Sequence, residues 1–172
     1  MNKDKGRRVG MRSLIICKSI HHGNTKKVAD RMAEVLKAEV LEPEKVDLER
    51  LEKYDLLGFG SGIYSGEHHE TIFEFVDKLP KVENKKVFIF STCGAPKIAM
   101  SEKFVRRNHS KLKEKLQSKG YKVVDEFGCR GWNTNSFLKL FGGINKGKPN
   151  ENDLKRAEEF VNVYDVIEDE NK

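Results

Sequence analysis

Apolar residues along this chain alternate between short continuous runs and longer stretches in which they recur every three or four positions. Continuous runs, which favour β-strands, occupy residues 13–18, 39–41, 55–60, 87–91 and 121–129. Helical spacing is found around residues 28–36 and over residues 71–79, 101–118 and 153–166. Pro80 and Gly120 end the second and third of these helices. The pattern predicts five strands alternating with four helices.

This alternation predicts an α/β fold with one parallel sheet, because a crossover helix joins consecutive parallel strands. The run at 87–91, VFIFS, is almost wholly apolar, as expected for a central strand covered by helices on both faces. Ligands of such sheets bind beyond the carboxyl ends of the strands, where the strand order reverses. We therefore expect a site built from the loops 19–25, 61–69, 92–97 and 130–148.

Length and composition fit a single soluble domain. The chain has 172 residues, 37% of them hydrophobic and 35% charged, and no stretch approaches the roughly 18 apolar residues that a membrane span needs. Residues 1–10 are basic, but no apolar stretch of signal-peptide type follows them. We expect a cytoplasmic protein with no membrane partner. Its predicted parts are a mobile basic arm (1–10), one domain (11–167) and a short acidic tail (168–172).

The cysteines and histidines do not indicate a disulfide framework or a metal centre. Cys17, Cys93 and Cys129 form no CxxC pair, which favours free thiols, and Cys17 is predicted to lie in the core. Four histidines come as two adjacent pairs, whose side chains point apart rather than towards one metal ion. We interpret one pair, His68 and His69, as facing solvent, with contact of either residue to a bound ligand as the alternative.

The basic character belongs to the domain as well as to its arm. The net charge is +6; residues 1–10 contribute four Lys/Arg and one Asp, which leaves 29 basic and 26 acidic residues, or +3. The densest basic segment, 97–119, carries eight Lys/Arg against two Glu. A solvated helix face is the ordinary explanation, and a docking surface for an acidic partner is the alternative.

The first loop, SIHHGNT at 19–25, lies directly between a strand and a helix. Its hydroxyl, imidazole, glycine and amide groups come from Ser19, His21, His22, Gly23, Asn24 and Thr25. Backbone N–H groups at a helix start, together with the helix dipole, favour an anion such as a phosphate. An ordinary helix cap by Asn24 or Thr25 explains the loop equally well. The chain contains neither GxxxxGK[ST] nor GxGxxG, so any nucleotide ligand is predicted to be a mononucleotide.

A strand followed by a hydroxyl-rich turn ending in Gly-Asn-Thr resembles the FMN-phosphate loop of flavodoxins. Residues 60–66, GSGIYSG, resemble the second flavin loop of that family, where an aromatic ring commonly stacks on the isoalloxazine. Residues 90–96, FSTCGAP, lie where the third loop of the family uses backbone groups on the other side of the ring. Residues 145–160 are similar to the close of flavodoxin-family domains. The resemblance extends over residues 13–166.

The resemblance implies a flavodoxin-like, three-layer, doubly wound fold with a five-stranded parallel sheet of order 2-1-3-4-5. It places one FMN between strands 1 and 3, with Tyr64 against the ring. The cofactor-binding residues predicted from the loops and the resemblance are Ser19, His21, His22, Gly23, Asn24, Thr25, Ser61, Gly62, Ile63, Tyr64, Gly66, Thr92, Cys93, Gly94 and Ala95. No catalytic residue is predicted, because FMN itself supplies the redox chemistry.

Residues 130–148 are long for a connection, which ordinarily has about two to six residues. They hold the only tryptophan, Trp132, and several apolar side chains. We favour a hairpin or helical turn packed on the domain; a lid over the flavin or a dimer surface is the alternative. The third flavin loop lacks the tyrosine typical of the family, and Trp132 is the candidate to supply that missing aromatic cover.

The resemblance implies an electron carrier that shuttles electrons through FMN between redox partner proteins, and the basic segment 97–119 suggests a partner with an acidic docking surface. One alternative is an FMN-dependent oxidoreductase acting on a small substrate such as a quinone or a flavin. Another is a binding module that has lost FMN and contacts nucleic acid. The basic segment lacks the interleaved aromatic residues of a stacking platform, so no nucleic-acid partner is expected.

Overall fold

Six strands and four α-helices make up residues 11–166, the part of the chain that this computed structural model describes. The strands are β1 (Ser13–Lys18), β2 (Glu39–Leu41), β3 (Leu56–Tyr64), β4 (Glu67–His68), β5 (Lys85–Cys93) and β6 (Tyr121–Arg130). The helices are α1 (Asn24–Leu36), α2 (Glu70–Lys78), α3 (Glu102–Ser118) and α4 (Glu151–Val166). None of these helices has the length and apolar character that a bilayer span requires. The predicted arm and tail lie outside the described residues.

The main sheet has the order β2-β1-β3-β5-β6, and all its neighbouring strands run parallel. The short strand β4 pairs only with the end of β3, in the antiparallel direction. With β4 set aside, the order is the predicted 2-1-3-4-5, which is confirmed. The strand order reverses between β1 and β3, so a crevice is expected at their carboxyl ends.

Two apolar cores lie on opposite faces of the sheet, because successive side chains of a strand point to opposite faces. Ile15 and Cys17 pack with helices α1 and α4 on one face, where Cys17 is 4% exposed, as predicted. Leu14 and Ile16 pack with α2 and α3 on the other face. The sheet is thus the middle layer of three, and its strand ends are the place left for a ligand.

The sequence pattern did not predict that β3 continues past Gly60. The strand runs on to Tyr64, turns at Ser65 and Gly66, and returns as β4. Both turn residues have positive φ, 51° and 89°, as in the tight turns whose twist suits a two-residue hairpin. A segment interpreted as a loop is therefore a β-hairpin, and it places Tyr64 beyond the edge of the sheet.

The packing of β3 against β5 yields a stability prediction. A Cβ added at Gly58 would collide with the ring of Phe88, which is fully buried. We expect Gly58→Ala to lower the free energy of unfolding by about 1–3 kcal/mol, as overpacking does in a dense core. Urea unfolding measures it, with the exposed Lys122→Ala on β6 as control, expected within about 0.5 kcal/mol of the parent. Equal stability of Gly58→Ala and the parent would contradict this packing.

Candidate functional site

A cleft opens at the carboxyl ends of β1, β3 and β5, at the predicted reversal of strand order. Its walls come from the β1–α1 loop, the end of β3, the end of β5 and the segment after β6. The lining residues are Ser19, Ile20, His21, Asn24, Thr25, Gly62, Ile63, Tyr64, Thr92, Cys93, Gly94, Gly131, Trp132, Asn133 and Asn135. Within the described residues, no Asp or Glu lines this cleft.

The first turn of α1 is left without a side-chain cap. Gly23 occupies the N-cap position, and no side chain accepts a hydrogen bond from the first turn. His22 and Gly23 both have positive φ, 55° and 64°, which turns the chain sharply into the helix. The first N–H groups of a helix have no intrahelical partner and carry its positive dipole end. The helix cap that would have explained this loop without a ligand is therefore not formed.

The side chains expected to cap α1 bind elsewhere. Asn24 donates from Nδ2 to the carbonyl of Trp132 at 2.8 Å, and the Thr25 hydroxyl pairs with that of Thr92 at 2.8 Å. The Ser19 hydroxyl and the Asn24 Oδ1 are buried with no hydrogen-bond partner among the described residues. A buried polar atom without a partner is costly unless a ligand or water supplies one. The Ser19 hydroxyl can donate to an anion, whereas Asn24 Oδ1 is an acceptor and calls for a donor such as a water or a ligand N–H.

Tyr64 forms the wall of the cleft at the end of β3. Its ring lies 5.8 Å from the His21 ring and 5.5 Å from the His69 ring, in edge-on contact with the latter. Partial burial raises the pKa of its phenol above the ordinary value, so the ring is a neutral, half-buried surface. A Cβ at Gly62 would meet the Tyr64 hydroxyl at 2.8 Å, so the glycine makes room for the ring.

Residues 131–148 fold back on the domain, as the favoured interpretation predicted, but Leu140 and Phe141 of this segment stay 83% and 82% exposed instead of packing on it. Asn133 and Ile144 form an antiparallel bridge around a 3₁₀ turn at Ser136–Phe141. Asn145 ties the segment to the third loop by donating to the carbonyl of Ala95 at 2.9 Å. The same segment also supplies one wall of the cleft, so packing on the domain and covering the site are combined.

Trp132 is held in that wall by its neighbours. Its indole stacks on the His22 ring with a centroid distance of 4.0 Å and an angle of 22°. The indole Nε1 donates to the carbonyl of Gly142. The His22 Nε2 lies 2.8 Å from the hydroxyl of Thr134. His22, predicted as a phosphate contact, is thus engaged with the segment that covers the cleft.

The sequence matches the family model of the flavodoxin domain over residues 14–134, well over half of the chain. The chain belongs to the flavodoxin family. An uncharacterized protein of Methanocaldococcus jannaschii is 50% identical over 151 residues, which are 88% of this chain and 96% of that protein.

Solved flavodoxins share the fold. A flavodoxin from the domain Archaea has a TM-score of 0.68 at 16% identity, over 90% of this chain and 96% of the other. Oxidised flavodoxin 2 from Bacillus cereus has a TM-score of 0.64 at 22% identity, over 89% and 97%. The family generally binds flavin, typically FMN.

Ten of the fifteen predicted cofactor residues line the cleft of this flavodoxin: Ser19, His21, Asn24, Thr25, Gly62, Ile63, Tyr64, Thr92, Cys93 and Gly94. The other five lie close by. His22 and Gly23 form the turn before α1, and Gly66 lies in the hairpin turn. Ser61 is fully buried and bonded to His68, and Ala95 bonds to Asn145 through its carbonyl. Their contact with a cofactor stays a prediction.

Two features of the site were not expected from the sequence. Ile20, Gly131, Asn133 and Asn135 also line the cleft; they lie in the loops 19–25 and 130–148 that were expected to build the site, but they were not among the predicted cofactor residues. The expectation that His68 faces solvent is wrong: its side chain is 3% exposed, because β4 turns it inward towards α3. His69, its neighbour, points the other way and caps α2 by accepting from the Thr71 N–H.

The polar groups fit a flavin phosphate better than the present wall fits a flavin ring. The cleft encloses about 50 Å³, whereas sites for ligands of cofactor size hold about 300–1,000 Å³. The hydrogen bonds that draw the Trp132 wall inward run to Asn24 and His22 on the phosphate-type loop. A flavin ring bound here would need the wall to lie further out than these hydrogen bonds hold it.

This anchoring leads to a prediction for the apoprotein. Asn24→Ala removes the bond from Nδ2 to the Trp132 carbonyl, worth about 0.5–1.5 kcal/mol. We expect emission from Trp132, the only tryptophan, to move to longer wavelength and to be quenched more strongly by acrylamide. Lys26→Ala, an exposed change two positions along α1, is the control. Unchanged emission and quenching in Asn24→Ala would show that this bond does not hold the wall.

Proposed function

We propose that this flavodoxin binds one FMN in the cleft and carries electrons between redox partner proteins in the cytoplasm. The observation that carries the proposal is the uncapped start of α1 beside the buried, unpartnered hydroxyl of Ser19. Three free thiols, at Cys17, Cys93 and Cys129, suit a reducing compartment.

The FMN phosphate is assigned to the loop 19–25. The Ser19 hydroxyl donates to a phosphate oxygen, and the first-turn N–H groups of α1 donate to the others. Thr25 is held in place by Thr92 and orients the first turn rather than competing for its donors. Once bound, FMN supplies one- and two-electron chemistry, so the protein has to bind it, orient it and shield it from water.

The flavin ring is assigned to the space between Tyr64 and the wall that contains Trp132. Both aromatic side chains are partly buried at the cleft, on β3 and on the segment after β6. Aromatic rings prefer offset stacking or edge contact with one another, which suits a planar heterocycle. Trp132 in this position supplies the aromatic cover that the third loop lacks.

A partner surface is assigned beside the cleft. Ile98, Leu140 and Phe141 are 96%, 83% and 82% exposed, which is unusual for large apolar side chains. They lie on the two segments that the bond from Asn145 to Ala95 joins. Among residues 11–166, Lys97 and Lys139, next to these side chains in the chain, form no ion pair. A partner with an acidic rim around an apolar centre complements this surface.

The binding proposal predicts a yellow protein with FMN and a specific role for Ser19. We expect Ser19→Ala to weaken FMN binding about 10–100-fold, since a hydrogen bond to a charged group is worth about 1.5–3 kcal/mol. Riboflavin, which lacks the phosphate, should bind the parent and the variant equally. Quenching of flavin fluorescence on titration with apoprotein gives both dissociation constants.

Ser118→Ala, at the end of α3 and remote from the cleft, is the matched control, since its hydroxyl bonds only locally to the Lys115 carbonyl. A purified protein that is colourless and does not bind added FMN would contradict the proposal. An equal loss of FMN and riboflavin affinity in Ser19→Ala would place the phosphate elsewhere.

The carrier proposal predicts salt-sensitive electron transfer with an acidic protein. Stopped-flow reduction of the FMN-loaded protein by an acidic ferredoxin should slow as ionic strength rises, because screening removes the steering. Charge reversal in Lys97→Glu/Lys139→Glu should slow it at least about tenfold at low salt. Lys86→Glu/Lys122→Glu, two exposed lysines near the starts of β5 and β6, changes the net charge equally and should have a much smaller effect.

Two results would favour other functions. Rapid NAD(P)H oxidation with a quinone or free flavin, with no dependence on an acidic protein, would identify an oxidoreductase instead of a carrier. Equal effects of the Lys97/Lys139 and Lys86/Lys122 reversals would remove the docking surface from the proposal.

A further inference from the structure

A buried polar chain lies beneath the hairpin that carries Tyr64. We call residues 61–68, the end of β3 with the turn and β4, the Tyr64 hairpin. On its inner side, Ser61 and His68 are 0% and 3% exposed. They meet His109 of α3, which is 0% exposed. These groups lie outside the cleft, and the proposed function does not use them.

The hydrogen bonds of Ser61 determine the protonation of His68. The Ser61 hydroxyl donates to the Gly62 carbonyl at 2.8 Å, which uses its only proton. It accepts from the backbone N–H of His69 at 2.9 Å, and His68 Nδ1 lies 2.9 Å away. With that proton used, His68 satisfies this oxygen by donating from Nδ1. The contact between Ser61 and His68 thus joins the two strands of the hairpin through their side chains.

A second proton on His68 would have no hydrogen-bond acceptor among the described residues. Its Nε2 is buried and has no hydrogen-bond partner among the described residues. The His109 ring lies 4.9 Å away, centroid to centroid. Burial, and to a lesser degree the neighbouring His109, holds the pKa of His68 well below its ordinary range. A neutral Nε2 is an acceptor left unused, whereas a protonated one is a buried charge without a partner.

His109 is fixed by groups from the two strands beneath α3. Its Nε2 lies 2.8 Å from the hydroxyl of Ser91 on β5. Its Nδ1 lies 3.3 Å from a carboxylate oxygen of Glu126 on β6, close but not aligned as a hydrogen bond. Glu126 also pairs with Lys113 at 2.7 Å. Burial alone would raise the pKa of Glu126, but His109 and Lys113 lower it to about 2.

The remaining charged groups around the hairpin lie at its outer rim. Lys111 of α3 pairs with Glu67 of β4 at 2.7 Å, and both side chains are about half exposed. Such an exposed pair contributes little, about 0–1 kcal/mol. The buried side of the hairpin meets α3 at two places: His68 contacts His109, and the turn at Gly66 lies next to the buried Asn108. Of the two, His68 is the titratable contact from the hairpin.

We propose that His68 is a positioning residue for the flavin cleft: it fixes the Tyr64 hairpin on α3, and a proton added to His68 releases the hairpin and weakens flavin binding. The inference rests on the proposed flavin site. A histidine suits this position because one ring nitrogen can donate to Ser61. The other nitrogen, without a proton, can lie next to the His109 ring with no hydrogen bond.

The sign of the pH effect follows from the neutral state of His68. The unfolded or released segment takes up a proton as the pH falls below about 6.5, the ordinary pKa of histidine. The closed hairpin does not, so its stability is complete above that pH and is lost as the pH falls below it. One proton weakens a coupled equilibrium at most about tenfold per pH unit.

The test compares the parent with two variants from pH 7.5 to pH 5.5, in two measurements. The first is amide hydrogen exchange of Tyr64 and His69 by NMR in the FMN-free protein. The second is the FMN dissociation constant. His68→Asn keeps a side-chain donor for Ser61 but does not titrate, and His68→Leu has similar bulk without a donor. Lys111→Ala removes the exposed rim pair as a control.

We expect the parent to lose hairpin protection and FMN affinity below pH 6.5. His68→Asn should retain the hairpin protection that it has at pH 7.5 and should lose less FMN affinity than the parent. The FMN phosphate itself titrates near pH 6, and it does so with both proteins. The ratio of the two dissociation constants at each pH therefore isolates the effect of residue 68. His68→Leu should exchange faster at every pH and bind FMN about three- to tenfold more weakly at pH 7.5. Lys111→Ala should change affinity less than about twofold.

Parallel pH profiles for the parent and His68→Asn, or unchanged hairpin exchange in His68→Leu, would overturn the proposal. The exchange measurement needs no FMN. A protein that binds no FMN but loses hairpin protection in acid through His68 would therefore contradict the flavin proposal while retaining the role of His68 in holding the hairpin.

Discussion

Alternate glycines of the central strand β3 leave space that aromatic side chains fill, and this packing shapes the cleft. A Cβ at Gly58 would collide with Phe88, and one at Gly60 would collide with Phe90. Gly62, two positions on, makes room for a residue of its own strand: a Cβ there would meet the Tyr64 hydroxyl at 2.8 Å. Residues two apart on a strand share a face, so one stripe of close approaches runs from the core to the rim. Tyr64 reaches the cleft as the last ring of a core pattern.

The opposite face of β3 ends in different chemistry. Leu57 and Phe59 belong to the apolar core under α2 and α3, and Ser61, the next residue on that face, carries a buried hydroxyl. An apolar residue at position 61 would remove the hydrogen bonds that His68 Nδ1 and the backbone N–H of His69 make to the Ser61 hydroxyl. The two faces of one strand thus divide the work: one presents the ring, and the other fixes the hairpin that holds it.

Particular residues show how far the sequence could lead. The parallel sheet and the position of the cleft followed from apolar runs that stop at small polar residues, because a parallel sheet gathers its carboxyl ends at one edge. The strand order came from the resemblance to flavodoxins. The continuation of β3 was missed because Gly60 and Gly62 read as loop residues; they are glycine to admit rings, not to bend the chain. The burial of His68 was missed because adjacent histidines point apart, and the sequence does not say which of the two points inward. Glu126 and His109 are 17 residues apart in sequence, and only the packing of α3 on β6 brings them together.

The uncapped start of α1 costs the fold some stability, but the cost is small enough for a binding site and a stable fold to coexist. A side-chain cap on that helix would contribute about 1 kcal/mol, and the buried hydroxyl of Ser19 adds a further cost. The two cores on either face of the sheet can absorb a loss of that size, since each holds many fully buried side chains. A ligand that binds only the folded protein stabilises it further as its concentration exceeds its dissociation constant. The open N–H groups of α1 and the Ser19 hydroxyl are therefore tolerable at this edge of the sheet, where a bound anion would satisfy them.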